Sequence, residues 1–335
     1  MKAFSSLSGS IISATVISVP VTIALLIALT SSFLHAATPE ARIKRAHELW
    51  TRGAAPRRGL PPAETVTGGT VTGDVRLHRQ VRSQFLSQPR DVWVWLPPGY
   101  VADERSARRY PVLYMHDGNN VLDARTAFLG REWGADETAQ RLITTGAVDP
   151  FIIVAVGNTP DRLDEYTWVS GTFSGHTGGG EGEHYARFLV EELKPLIDRT
   201  YRTRPGRDDT AVMGSSLGGL ISLYLGLHYP EVFGRIGAVS PSIWWSNYAL
   251  HRDIAGIGPD LHVWLDMGAH EGDPSEQGVN LQHARLLKGQ LVARGYREGE
   301  TLGYMEDADG SHDEPSWARR LPAIFTFLFG PARAR

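Results

Sequence analysis

Ala211-Val212-Met213-Gly214-Ser215-Ser216-Leu217-Gly218-Gly219-Leu220-Ile221-Ser222-Leu223-Tyr224 is the stretch on which the fold turns. Its first three residues end an apolar run that reads as a buried strand, and residues 217–229 continue as an apolar helix. Between them Gly214-Ser215-Ser216-Leu217-Gly218 fits Gly-x-Ser-x-Gly, the one match in the chain. Five residues alone are weak evidence, since chance supplies such a pattern in roughly one chain in four of this length. The context is what raises it. Where a strand turns sharply into a helix, the central residue sits on a strained turn, and side chains two positions either side would strike the flanking elements. Ser216 is therefore the candidate nucleophile, while Ser215 is out of register. The Leu217 N–H lies in the first helical turn, where no intrahelical acceptor exists, and is the candidate oxyanion donor.

Outward from this turn, apolar segments alternate between strand and helix character. Residues 75–81 and 90–96 alternate apolar and polar and predict an antiparallel edge hairpin. Residues 110–115 and 151–156 are continuous apolar runs, as buried parallel strands require. A helix is expected within 131–146. In 183–201, Tyr185, Phe188, Leu189, Leu193, Leu196 and Ile197 share a helical face, with Pro195 kinking that helix or starting its second half. Further strands are predicted at 210–213, 235–239, 261–265 and 300–305, and helices at 280–294 and 317–328. This alternation predicts an α/β-hydrolase fold: a mostly parallel central sheet with an antiparallel N-terminal edge hairpin and helices on both faces.

The 335 residues carry a formal net charge of −3, so no basic surface calls for nucleic acid. The absence of cysteine excludes a thiol nucleophile, a thiolate metal site and any disulfide. Lys2, the apolar run 11–34 and His35-Ala36-Ala37 predict a signal peptide or an N-terminal membrane anchor over 1–37. Either reading exports the chain to the periplasm or beyond, and membrane contact is expected only if the segment stays uncleaved. Thr38 and Pro39 read as a helix start, 53–70 as a Gly/Pro/Arg/Thr-rich linker, and 71–331 as the compact catalytic domain.

Nucleophilic serine needs a base, and in this fold the chain order is serine, acid, histidine. His283 falls within a predicted helix, whereas His312 lies in the polar turn Asp309-Gly310-Ser311-His312-Asp313 after a strand, which makes it the candidate base. Beyond strand 261–265, Asp266, Glu271 and Asp273 compete as the acid. Asp273 reads as a turn or capping residue, and spacing leaves Asp266 and Glu271 both open. A second oxyanion donor is expected in the loop His116-Asp117-Gly118-Asn119-Asn120, from the Asn119 backbone.

The region from about 90 to 327 resembles the esterase D-like family, which includes enterochelin-type siderophore esterases, feruloyl esterases and mycolyltransferases. The resemblance rests on Val94-Trp95-Leu96-Pro97-Pro98-Gly99-Tyr100, Tyr110-Pro111-Val112-Leu113-Tyr114-Met115-His116-Asp117-Gly118 and Glu192-Leu193-Lys194-Pro195-Leu196-Ile197-Asp198. Ser240-Pro241-Ser242-Ile243-Trp244-Trp245 and Gly310-Ser311-His312-Asp313 with Trp317 complete it. Asp117-Gly118-Asn119-Asn120 looks like the siderophore-esterase-like branch. The resemblance implies a serine carboxylic-ester hydrolase working through an acyl-serine, without cofactor or metal. It also implies Glu271 as the acid, because Gly268-Ala269-His270-Glu271 lines up with Gly-Thr-x-Asp/Glu, Ala269 being the departure. Asp266 stands as the alternative.

By the same resemblance Arg131, Trp133, 162–166 with Tyr166, Trp244 and Trp245 build the substrate wall. Aromatic planes beside arginine suit a small-molecule ester with an aromatic or anionic acyl group. One of the two adjacent tryptophans is expected to pack on the sheet instead. Residues 173–182, with three consecutive glycines, are expected to form a mobile loop over the site. His176 and His184 have no third ligand beside them. Two other functions fit the same sequence: an acyltransferase on this fold, and a non-catalytic binding protein built on it.

Overall fold

The computed structural model describes residues 59–101, 107–173, 175–272 and 278–331; the expected signal or anchor, the helix start at Thr38 and Asp273 lie outside the described residues. The strands are β1 (Ala63–Val66), β2 (Asp74–Val81), β3 (Arg90–Leu96), β4 (Val112–Met115), β5 (Ile152–Val156), β6 (Gly171–Phe173), β7 (His176–Gly178), β8 (Thr210–Ser215), β9 (Arg235–Val239), β10 (His262–His270) and β11 (Leu302–Ser311). Nine of them form one sheet in the order β1-β2-β3-β5-β4-β8-β9-β10-β11, and β6 pairs separately with β7. Pairings from β1 through β2 and β3 to β5 are antiparallel. Those from β5 through β4, β8, β9 and β10 to β11 are parallel.

Helices cover both faces because the central strands are apolar on both sides. Val92, Val94 and Leu96 of β3 cluster with residues of α3 (Gly182–Arg187), α4 (Lys194–Thr200) and α5 (Leu217–His228). Trp93 and Trp95, pointing the other way, cluster with α1 (Ala135–Thr144) and α8 (Glu314–Phe329). The alternation follows from the two-residue period of a strand. Among the described residues the remaining α-helices are the short α2 (Arg162–Glu165), α6 (Trp245–Asp253) and α7 (Val279–Ala293). Among the described residues no helix is long and apolar enough to cross a membrane.

The structure differs from the sequence reading at four places. Residues 63–66, read as linker, pair with β2, so the hairpin of β2 and β3 is not at the edge of the sheet. All four side chains of β1 are at least partly exposed, so backbone pairing alone makes the strand and no apolar period announces it. Strands β10 and β11 run past the apolar residues that signalled them, to His270 and Ser311. The expected helix over 183–201 is interrupted by π-helical turns at Phe188–Leu193, just before Pro195, which has no N–H to donate to a regular helix. Part of 173–182 is the β6–β7 hairpin, and the stretch ends on the first residue of α3.

Candidate active site

The site lies at the carboxyl ends of the parallel strands, where their loops converge. Ser216 occupies the turn between β8 and α5 with φ 58° and ψ −122°, a conformation costing a non-glycine residue roughly 1–3 kcal/mol. Packing over-determines it. The Ser216 N–H donates to Val239 O at 3.0 Å, and Ser216 O accepts from the Ser242 N–H at 3.0 Å. A Cβ on Gly219 would lie 3.0–3.2 Å from backbone atoms of Val239, Gly214 and Pro241, so a larger residue would force this tightly packed backbone to give way. The Ser216 Oγ stands 3.0 Å from His312 Nε2 and 3.1 Å from Ser242 Oγ.

His312 follows the last residue of β11. Behind it the start of α8 is capped by the Asp313 carboxylate, which accepts from Ser316 N–H at 2.9 Å, while the Ser311 N–H donates to Ser316 Oγ at 3.0 Å. These bonds hold the loop between strand and helix. The Trp317 ring meets the imidazole edge-on at 5.1 Å. His312 Nδ1 lies 2.8 Å from Glu271 Oε2, and the side chain keeps 38% of its surface exposed.

The other oxygen of Glu271 is buried in a polar network. Glu271 Oε1 accepts from the Gly268 N–H at 2.6 Å and from the Ser240 hydroxyl, with the Arg320 guanidinium 3.5 Å away. Gly268 must be glycine here, because a Cβ would come within 2.4 Å of Gly310 O and 2.7 Å of Glu271 Oε1. The Ser240 hydroxyl in turn accepts from Trp317 Nε1 and Arg320, each at 3.1 Å. The competing carboxylate, Asp266, sits inside β10, opposite Val239 and Met305. It is fully buried and bonded to Arg320, to Trp264 Nε1 at 2.7 Å and to the Ser240 N–H at 3.0 Å. Burial pushes its carboxyl up to about 6, against the pull of Arg320. Of the two carboxylates, Glu271 faces the imidazole and Asp266 faces the guanidinium.

In the loop after β4, which begins with His116, Asp117 is in a left-handed conformation, φ 56°. Its carboxylate takes Arg162 through Nε at 2.6 Å and a second nitrogen at 2.8 Å, and Asn158 Nδ2 at 2.6 Å. Burial alone would raise that carboxyl, but Arg162 and Asn158 hold it below the usual carboxylate range. The Asn119 Oδ1 accepts from the Asn158 N–H at 3.3 Å, and Asn119 O accepts from the Thr126 hydroxyl at 2.7 Å, which ties this loop on both sides. His116, beside Gly214 and Gly218, bonds the Tyr185 hydroxyl at 2.9 Å through Nδ1. Burial drives its imidazole down to about 3, so it is neutral at any ordinary pH.

Three residues expected in the substrate wall are buried instead. Tyr166 is fully enclosed, its hydroxyl accepting from the Asp117 N–H at 3.1 Å and its ring against Arg162. Trp245 is packed against Gly171, with Nε1 donating to Val169 O at 2.9 Å. Trp133 lies behind the site against Trp317, 5.7 Å between ring centroids. None offers a face to a substrate. Trp244 is partly exposed and lies 4.9 Å from the exposed Phe173 ring of β6, and Arg131 is exposed where its charge acts on Asp313.

Sequence reasoning did not single out Ser240, Ser242 or Arg320. The two serines sit in a stretch noted only for its resemblance, and Arg320 follows another arginine on a helix. Only the inward phase of Trp317, Arg320, Leu321 and Ile324 on α8 could have pointed to it.

The family model described as Putative esterase matches residues 83–328. YbbA, an uncharacterized protein of Bacillus subtilis, is 30% identical over 259 residues, spanning 75% of this chain and 97% of that protein. The iron(III) enterobactin esterase of Escherichia coli K12 is 46% identical over 150 residues, 43% of this chain and 35% of that enzyme. The crystal structure of an IroE-like serine hydrolase from Shewanella oneidensis superposes with a TM-score of 0.62 at 21% identity, covering 76% of this chain and 80% of that one, and shows the α/β serine-hydrolase fold. The chain belongs to the Putative esterase family, and within it is similar to enterobactin and siderophore esterases and to a feruloyl esterase.

Proposed function

We propose that this chain hydrolyses carboxylic esters through an acyl-enzyme on Ser216. The observation that carries the reading is the chain of contacts from Ser216 Oγ to His312 Nε2 at 3.0 Å and from His312 Nδ1 to Glu271 Oε2 at 2.8 Å. His312 takes the Ser216 proton as Oγ attacks the acyl carbon, then returns it to the leaving alkoxide. Glu271 accepts from Nδ1–H, which selects the tautomer with a free Nε2 and stabilises the imidazolium. The Leu217 and Asn119 backbone N–H groups hold the oxyanion. Water then attacks the acyl carbon, with His312 as base again.

The partly exposed imidazole admits that water. The Phe173–Trp244 ring pair, and the exposed Arg131 whose charge acts on Asp313 next to His312, support a siderophore-like, aryl or acyl ester with an aromatic or anionic acyl part. The N-terminal apolar run supports export to the periplasm or medium. The test is p-nitrophenyl ester turnover and fluorophosphonate labelling of the wild type and Ser216→Ala. The variant is expected to stay folded, take no label and lose roughly 10⁴-fold or more in kcat. Undiminished labelling of Ser216→Ala would overturn the assignment.

A further inference from the structure

We propose that Ser242 belongs to the reaction centre: its hydroxyl donates a hydrogen bond to Ser216 Oγ and stabilises the charge that develops there. The inference rests on Ser216 as nucleophile and adds a residue to that chemistry. The two hydroxyl oxygens are 3.1 Å apart, and Ser242 is 1% exposed. The Ser242 backbone is fixed to the elbow itself, its N–H donating to Ser216 O at 3.0 Å while its carbonyl accepts from the Trp245 N–H at 3.1 Å. A buried hydroxyl aimed at a nucleophile by backbone bonds on both sides is a placed group.

The direction of the bond follows from counting protons. An ionised Glu271 carboxylate can only accept, so His312 Nδ1 carries the hydrogen between them and Nε2 is left as an acceptor. Ser216 has one hydroxyl hydrogen, and it goes to Nε2. Its oxygen then has lone pairs to offer and nothing left to donate, so the Ser242 hydroxyl is the donor. Were the direction reversed, the Ser216 proton would point away from its base.

That donation matters most when Oγ is charged. In acylation the Ser216 O–H bond breaks, the proton passes to Nε2 and the Oγ–acyl bond forms, while Ser242 keeps its own proton and shares the developing charge. In deacylation water adds to the acyl carbon with its proton passing to Nε2. The C–Oγ bond then breaks and Oγ takes that proton back, again against the Ser242 hydroxyl. A hydrogen bond to an ionic oxygen corresponds to roughly 10- to 100-fold in rate.

The experiment compares wild type, Ser242→Ala, Ser242→Thr and Ser216→Ala in fluorophosphonate labelling rate and in p-nitrophenyl butyrate kinetics across pH. Ser242→Ala is expected to label Ser216 roughly 10- to 100-fold more slowly and to lose a similar factor in kcat, with KM within about twofold. The pH midpoint of kcat/KM should stay in place, because Ser242 does not titrate, whereas a displaced His312 would move it. Ser242→Thr, which keeps the hydroxyl, should recover most of the rate. Labelling of Ser242→Ala at the wild-type rate overturns the proposal, and so does a Thr variant as slow as the Ala variant. A wild type that takes no label, or a Ser216→Ala that does, overturns the nucleophile assignment instead.

Discussion

The two halves of the site are built in different ways. The half that holds the proposed nucleophile is one continuous segment, 211–223, whose geometry comes from glycines pressed against neighbouring backbone and from an apolar helix that follows at once. The acid half is gathered from the turn after β9, from β10 and the residue following it, and from α8: Ser240, Asp266, Glu271, Trp317 and Arg320, all buried. Asp266, Glu271 and Asp307 all lie within ion-pair distance of the Arg320 guanidinium, and the chain gives the first two different partners. Asp266 takes the closest contact with Arg320, which leaves Glu271 to present one oxygen to the imidazole. The proposed nucleophile is thus placed by local sterics, whereas the proposed acid depends on how a buried charge network divides.

The most severe way to break this contrast is Glu271→Gln. The variant keeps shape but puts an amide against His312 Nδ1, so the tautomer with a free Nε2 is no longer selected, and kcat should fall roughly 10³- to 10⁴-fold. Stability, measured by urea denaturation, should change far less. Asp266→Asn should do the opposite. Steady-state kinetics should keep kcat within about tenfold of wild type, while the unfolding free energy drops by about 3 kcal/mol because Arg320 loses its nearest counter-charge. If Asp266→Asn instead abolishes turnover with the fold intact, the division of roles between the two carboxylates is wrong.

A smaller effect sharpens the nucleophile half. His116 is buried and neutral, its pKa lowered from 6.5 to about 3 by burial, with Asp117 raising it and Arg162 lowering it. The unfolded chain binds a proton below pH 6.5 that the folded chain refuses until about pH 3, so this residue's contribution is present above 6.5 and lost as pH falls. Between pH 6.5 and 5 the loss should be about 2 kcal/mol. Denaturant titrations of wild type and His116→Gln at the two pH values test it: the variant, which cannot titrate, should show a shallower decline. Equal declines would remove His116 as the cause.

Much of the molecule was legible because it rests on short-range physics. Continuous apolar runs marked the parallel strands β4 and β5, strands were also predicted where β8 and β9 lie, and Gly-x-Ser-x-Gly between a strand and a helix marked the turn at Ser216. His312 was legible as a polar residue just beyond a strand. What escaped depends on neighbours far away in the chain. β1 exists because β2 offers it a backbone edge, and its exposed side chains leave no apolar pattern. Tyr166 and Trp245 looked like pocket walls, yet their rings are covered by elements distant in sequence.

Glu271 and Asp266 are the sharpest case. Residue type and spacing permitted either, and resemblance favoured Glu271. Which one meets the imidazole is decided by Arg320, which lies 49 to 54 positions downstream and reaches both carboxylates only because α8 packs across β9 and β10. Composition, periodicity and one glycine-flanked serine determined by themselves the class of fold and the position of the turn. The partner of each buried charge was left to the tertiary structure, because electrostatic pairing in a low-dielectric interior is set by distances that no linear spacing encodes.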